Sequence, residues 1–399
     1  MSIPTRSRPA TARLLAGWHQ TGQPADFAEH RARYGPLPRV NALIDLVEAA
    51  GLRGRGGAGF PTATKLRAVA AGRGKPVVLA NGCEGEPVSR KDHALLSVAP
   101  HLVVDGAQLA ARAVGANSVL LCVHRDDPLA ASVAAALAQR SGDPAPTTLV
   151  EVPARFVASQ ESALVNFVNT GLATPTTAPP RPFERGVRGK PTLVDNVETL
   201  ANIALIARDG GAASSMLVTV DGAVRAGGVR ELDRDGSLGA VLAAAGGETE
   251  PLQAVLAGGY GGNWVPYPDA AGLPLTHQEL RGVGLFLALP ARACGIVETA
   301  AILRYLAGES ARQCGPCMFG LPAIAQDFGL LATGRVDRAM MQRLRGRLGV
   351  IRGRGACAHP DGAVRLAASA LRVFERDVHQ HAFGRPCGFA RQRPRMVHQ

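Results

Sequence analysis

Between residues 75 and 160, short apolar segments of strand character alternate with amphipathic helices, and no other feature limits the fold as tightly. "KPVVLAN", "NSVLLCVH" and "TTLVEVP" read as buried strands. "HLVVDGAQLAARAVGA" and "DPLAASVAAALAQRSG" read as helices, the second opened by Asp-Pro and closed by Gly. Such alternation builds a parallel sheet with helices packed on its faces. In sheets of this kind ligands bind beyond the carboxyl ends of the strands.

The pattern changes along the chain. From about Pro175 to Pro191 the sequence is rich in Pro, Thr and Arg and reads as an extended, wrapping segment. After residue 209, "SMLVTVDGAVRAGGVREL" predicts a hairpin turning at its Asp-Gly pair. "SLGAVLAAAGG" predicts a short helix, "LQAVLAGGYGG" a strand with a Gly-rich turn, and "GVGLFLAL" another strand. That is a small α+β unit. After Pro290, helical periodicity dominates through "GIVETAAILRYLAGES", "LPAIAQDFGLLATG", "RAMMQRLRGRLG" and "DGAVRLAASALRVFERDVHQHA". With 399 residues the chain has room for two or three domains. The expected division is an extension over 1–37, an α/β domain over 38–208, an α+β domain over 209–290 and a helical domain over 291–399.

Apolar residues make up 46% of the chain, enough for real cores, while aromatics are only 4%. The first residues lack the long apolar stretch of a secretory leader, and no run of about eighteen apolar residues occurs. A soluble, cytoplasmic protein without direct membrane insertion is expected. The net charge of +12 suits nucleic acid, an anionic membrane face or an acidic protein. Its arginines are scattered and stacking aromatics are scarce, which argues against nucleic acid and favours an acidic redox partner. Seven cysteines in a chain read as cytosolic predict no disulfide framework.

Four segments carry candidate chemistry. "GLRGRGGAGFPTATK", residues 51–65, follows a short amphipathic helix and lacks both the strand of a dinucleotide fingerprint and the Gly-Lys-Ser/Thr of a P-loop. Its bare backbone with Arg53, Arg55 and Lys65 suits a phosphate, or else forms a flexible turn. "ANGCEGEPVSRKD" follows a strand and places Asn81, Glu84 and Glu86 either at a ligand or on a solvated acidic loop. "ASQESALVNFVN" puts Gln160, Glu161 and Ser162 at a helix start, and "RGKPTLVDNVETLANI" does so for Asp195, Asn196, Glu198 and Thr199; helix capping alone accounts for both. "ESARQCGPCMFG" brings a Cys-x-x-Cys pair, Cys314 and Cys317, with Cys357 downstream. Zinc, an iron–sulfur cluster or a metal-free structural pair all use such spacing.

Together and in this order, these segments resemble the flavoprotein F subunit of NADH–quinone oxidoreductase (respiratory complex I) and the diaphorase subunits of NAD-linked hydrogenases and formate dehydrogenases. The resemblance covers about residues 38–380. It implies a Rossmann-like α/β domain binding FMN and NADH, a β-grasp domain, and a helical bundle holding an iron–sulfur cluster, [4Fe–4S] or [3Fe–4S]. It also implies that Gly54, Gly56, Gly57 and Lys65 contact FMN and that Asn81, Glu84, Val194, Asn196 and Thr199 line the same pocket. Phe60, Glu86 and Glu161 would meet NADH, the two glutamates as catalytic-site residues. Electrons would pass from NADH through FMN and cluster to a separate protein, either a thioredoxin-like [2Fe–2S] subunit or a ferredoxin. Alternatives are a flavin and iron–sulfur protein that does not use NADH, and a non-enzymatic assembly subunit.

The chain also departs from that family pattern. Ala311 stands where the first of three closely spaced cluster cysteines belongs, leaving Cys314, Cys317 and Cys357, with Cys294, Cys387 and His359 as candidates for a further ligand. Cys83 and Gln160 replace acidic residues and Ser159 a glycine. Ala68 and Arg181 replace the aromatics that sandwich adenine, and Ala178 a lysine.

Overall fold

The structure, a computed structural model, describes residues 13–211 and 214–396. Residues 1–12 of the expected extension lie outside them. The described residues divide into two compact units: 13–85, 90–211, 214–218 and 229–235 in the first, and 86–89, 219–228 and 236–396 in the second.

The first unit opens with four short helices, α1 (Ala16–Thr21), α2 (Phe27–Tyr34), α3 (Leu43–Ala49) and α4 (Thr62–Ala70). It continues through β1 (Val77–Asn81), α5 (Lys91–Val98), α6 (Pro100–Val114), β2 (Val119–His124), α7 (Pro128–Ala138), β3 (Thr147–Val152), α8 (Glu161–Thr170), β4 (Thr192–Asn196) and α9 (Val197–Asp209). The three expected strands are present, and "TLVDN" adds β4, which the sequence presents only as the lead-in to a helix. All pairings are parallel and the order is β3-β2-β1-β4, with Leu79 beside both Leu120 and Val194. Alternate strand residues feed a core on each face: Val78, Ala80, Leu121 and Leu193 on one, Val77, Leu79, Cys122 and Val194 on the other. On the first face α6 and α9 come so close that a Cβ at Gly106 would overlap the Leu200 carbonyl.

Residues 13–34, part of the expected extension, belong to this unit. Leu14 and Leu15 are buried in its core. The amides of Arg13, Leu14 and Leu15 donate to Glu231, at 2.9, 2.9 and 3.0 Å. Glu231 lies on β6 (Gly228–Asp233), the neighbour of β5 (Ser215–Gly222).

The second unit takes up β5 from Thr219 and continues with α10 (Leu238–Ala244), β7 (Leu252–Ala257), β8 (Asn263–Pro266), β9 (Leu285–Pro290), α11 (Gly295–Gly308), α12 (Leu321–Ala332), α13 (Arg338–Ile351), α14 (His359–Val373) and α15 (Glu375–Ala382). Its strands run β5-β9-β7-β8. The β5–β9 pair is parallel and the others are antiparallel. The hairpin turn differs from expectation. Asp221 and Gly222 end β5 rather than turning, because Gly222 (φ 92°) approaches β9 so closely that a Cβ would strike the Ala288 carbonyl. The long helical run after residue 358 breaks at Phe374, whose ring occupies the space a Cβ on Gly295 would need. Among the described residues no single helix is long and apolar enough to cross a membrane, though α5 and α6, bent by 96°, pass such a test as a pair. Both helices are largely buried in the first unit.

Candidate functional sites

In the first unit the chain runs from β1 outward to β2 and β3, then returns to the other side of β1 as β4. Parallel sheets offer a ligand crevice at such a reversal, here at the carboxyl ends of β1 and β4, where Asn81 pairs with Asn196. The glycine segment closes over it as a compact loop. Thr62 N–H donates to Leu52 O at 3.0 Å and Gly54 N–H to Phe60 O at 2.8 Å. Gly57 has φ 105°, which only glycine adopts readily. The Arg55 amide donates to Thr199 Oγ1 at 2.9 Å, and a Cβ on Gly56 would stand 3.6 Å from Asn196 Cβ. Bare backbone therefore lies across the end of β4 and the start of α9. At the loop's end Phe60 is 46% exposed.

The three cations of this segment have different roles, which corrects the expectation that all suit a phosphate. Arg53 Nε donates to Gly59 O at 2.7 Å, within the loop. Arg55 points inward, with Nη2 donating to Ser215 O at 3.2 Å and Nε 3.7 Å from Glu198. Both fasten the loop. Lys65 alone reaches the crevice residues: its Nζ donates to Val194 O at 2.8 Å and stands 3.4 Å from Glu161 and 3.5 Å from Asp195. Burial opposes the charge on Lys65, but Asp195 and Glu161 outweigh it and raise its pKa. Burial pushes the Asp195 carboxyl up to about 6, Lys65 opposing and Glu161 adding. Asp195 Oδ2 is buried without a hydrogen-bond partner among the described residues. A buried carboxylate oxygen left unpaired is costly, so it marks a place for a donor from a ligand. In the sequence Asp195 stands out only as part of a helix lead-in. Its signal was an acid at the carboxyl end of an unrecognised strand.

The other expected pocket residues hold the scaffold. Asn81 Nδ2 donates to Ser159 O at 2.9 Å, and its Oδ1 accepts from Cys83 N–H at 3.0 Å. Glu84 caps α5, accepting from the amides of Lys91, Asp92 and His93 at 2.9, 3.4 and 3.3 Å. Asn196 caps α9 through Glu198 N–H at 3.0 Å and donates to Asp92 at 2.6 Å. Beneath lies a buried ionic network with Lys91 Nζ between Asp92, at 2.7 Å, and Glu198, at 2.9 Å. Burial raises Asp92 to about 7 against the pull of Lys91. Thus Lys65, Glu161, Val194, Asp195, Asn196, Thr199 and the glycine loop come together. Glu86 belongs to the second unit, where its carboxylate accepts from Tyr260 N–H at 2.9 Å.

The candidate cluster cysteines, Cys314, Cys317 and Cys357, lie in the second unit. Between α11 and α12 the chain makes a π-turn, Pro316–Gly320, that carries Cys317. Burial acts to raise Cys314, but N–H groups of Ala356 and Cys317 donate to its sulfur and lower its pKa overall. Burial pushes Cys317 up to about 12, with the Cys314 and Cys357 sulfurs adding and the Ala311 N–H opposing. The Cys317 sulfur thus interacts with those of Cys314 and Cys357, and backbone amides reach the Cys314 and Cys317 sulfurs, donors of the kind that tune iron–sulfur clusters. Ala311 is at the site, offering an amide where a thiolate was expected. His359 donates from Nε2 to Leu306 O at 2.8 Å. Cys294 and Cys387 gather elsewhere in this unit, with His381.

Two family models match the chain: the Nuo51 FMN-binding domain over residues 47–205, and the NADH-ubiquinone oxidoreductase-F iron-sulfur binding region over residues 298–381. Among curated relatives, the F subunit of the NADH-quinone oxidoreductase of Streptomyces coelicolor is 27% identical over 380 residues, 87% of this chain and 84% of that protein. The corresponding F subunit of Salmonella typhimurium is 29% identical over 401 residues, 89% of each chain. Among solved structures, a chain of an NAD+-reducing [NiFe]-hydrogenase in the H2-reduced state superposes with a TM-score of 0.79 at 28% identity, over 95% of this chain and 67% of that one.

Proposed function

This chain belongs to the family of flavoprotein F subunits of NADH–quinone oxidoreductases, and we propose that it works as that family's electron entry point for a separate acceptor protein. It is an NADH dehydrogenase-type oxidoreductase that uses FMN and an iron–sulfur cluster. Bound FMN joins a two-electron hydride donor to one-electron carriers, and the cluster conducts single electrons onward.

The unpartnered Asp195 Oδ2 beside Lys65, under a glycine loop at the strand reversal, is the observation that carries the flavin assignment. In this reading Gly54, Gly56 and Gly57 let main chain lie against the cofactor. Lys65 supplies the cation, and Asp195 accepts a hydrogen bond from a hydroxyl or ring N–H. Asn81, Glu84, Asn196 and Thr199 keep the crevice walls rigid. Phe60 offers an exposed ring for stacking, and Glu161 and Glu86 serve the nicotinamide nucleotide. Cys314, Cys317 and Cys357 hold the cluster. We further propose that FMN and NADH sites, β-grasp fold and cluster bundle follow the division at residues 208 and 290. The acceptor is a thioredoxin-like [2Fe–2S] subunit or a ferredoxin, whose acidic surface the charge of +12 would attract.

Anaerobic mixing of the flavin- and iron-loaded chain with NADH tests the reading. Near-stoichiometric bleaching of the flavin band is expected. A loaded chain whose spectrum NADH leaves unchanged would shift the electron source to a ferredoxin-type donor. A chain that binds neither flavin nor iron after reconstitution would overturn the assignment and leave an assembly role.

A further inference from the structure

Cys294, His381 and Cys387 present their ligand atoms within 4.8 Å of one another, in a part of the second unit that the cluster cysteines do not share. Cys294 and Cys387 fall outside the matched iron–sulfur region, which ends at His381. We propose that these three residues bind a zinc ion that staples the carboxyl-terminal segment to the start of α11.

The donor set and its spacing both point that way. Two thiols and an imidazole form the borderline-soft set that zinc takes. Sulfur and nitrogen ligands of a tetrahedral zinc, at about 2.3 Å and about 2.0 Å, stand about 3.6 Å apart. Cys294 Sγ lies 3.7 Å from His381 Nε2. The imidazole is oriented from outside: its Nδ1 faces Leu331 O at 3.0 Å and can only donate there, which leaves the Nε2 lone pair for the sulfur side. Backbone carbonyls fix the tautomer of metal-binding histidines in this way. That lone pair accepts from the Cys387 amide at 3.1 Å, a bond the ion would replace. The fold brings the elements together through Gly295, whose missing side chain admits the Phe374 ring just before α15. On the Cys387 side, a cavity of about 310 Å³, also lined by Asp377 one turn before His381, would admit water or a carboxylate as the fourth ligand. On zinc binding each thiol gives up its proton to solvent; no electron moves.

The test uses the full chain, purified anaerobically, with zinc and iron counted by mass spectrometry. One zinc per chain is expected beside the iron, held against a chromophoric chelator. Cys387→Ser, at a half-buried position, and His381→Ala should each weaken zinc binding at least tenfold while iron and flavin stay. Cys314→Ser should lose iron and keep the zinc. Cobalt in place of zinc should give a thiolate-to-metal absorption band that Cys387→Ser removes. A wild-type chain that takes up no zinc in excess of the chelator would overturn the proposal. So would zinc retained in both variants, or a Cys294–Cys387 disulfide in the anaerobic protein. Because iron and flavin are counted separately, failure of the zinc site is distinct from failure of the electron-transfer assignment.

Discussion

At the scale of single residues, Asp195 shows how one buried acid can report on a site. Its carboxyl is held near 6, against an ordinary value of 3.8, chiefly by burial. An acid with a raised folded pKa favours the fold while protonated. Its contribution is full below about pH 4 and is lost as pH rises through about 6. In the flavin-free protein, Asp195→Asn should therefore gain about 2 kcal/mol relative to wild type between pH 4 and pH 8. Urea unfolding at the two pH values measures the gap; a gap that stays constant would place Asp195 in water. Ala311 allows a second check. Its amide already meets the Cys317 sulfur, so Ala311→Cys puts a thiol at the same corner. About one more iron per chain and a slower loss of iron in air are expected, read by iron analysis and EPR. Neither role is visible from residue type alone. Asp195 reads as a helix lead-in until pairing places it at a strand end, and Arg53 and Arg55 read as phosphate ligands until their carbonyl and carboxylate partners are seen.

At the scale of elements, strands β1, β2, β3 and β9 and most helices were legible because continuous apolar runs or helical periodicity mark them. β4 was not: Thr192–Asn196 is short and ends in Asp-Asn, so only its parallel pairing with β1 identifies it. The start of α5 carried no helical signal, since its Lys91 and Asp92 are charged residues buried in an ionic network rather than part of an apolar periodicity. The Asp-Gly signal misled because Gly222 serves close approach to β9 rather than a turn. Packing also reverses ordinary propensity. Glycine to alanine inside a helix normally gains about 1 kcal/mol. At Gly106 the new methyl meets the Leu200 carbonyl, so Gly106→Ala should instead lose about 2 kcal/mol or more. A thermal melt decides the sign. Glu84→Ala removes the acceptor of three amides at the start of α5 and should cost about 1–2 kcal/mol in the same assay.

For the whole molecule, the proposed reading has the charge of +12 steer an acidic acceptor to the protein. Electron transfer to an acidic ferredoxin should slow several-fold from low salt to about 0.5 M salt, because screening shortens the reach of the field. Transfer to a neutral dye should hardly change. Stopped-flow rates with both acceptors make the comparison, and equal salt responses would remove electrostatic steering from the account. The amino-terminal segment, expected as an appendage, is bound through main-chain amides to Glu231, and near the other end Glu298 accepts from the amides of Arg395 and Met396 at 2.9 to 3.1 Å. Each carboxylate is buried and raised in pKa by that burial. Nibbling by an exopeptidase past Leu15 or back past Arg395 would therefore not merely shorten a tail. It would leave an interior carboxyl without its amide donors, so that wear at either segment is felt as lost stability of the body.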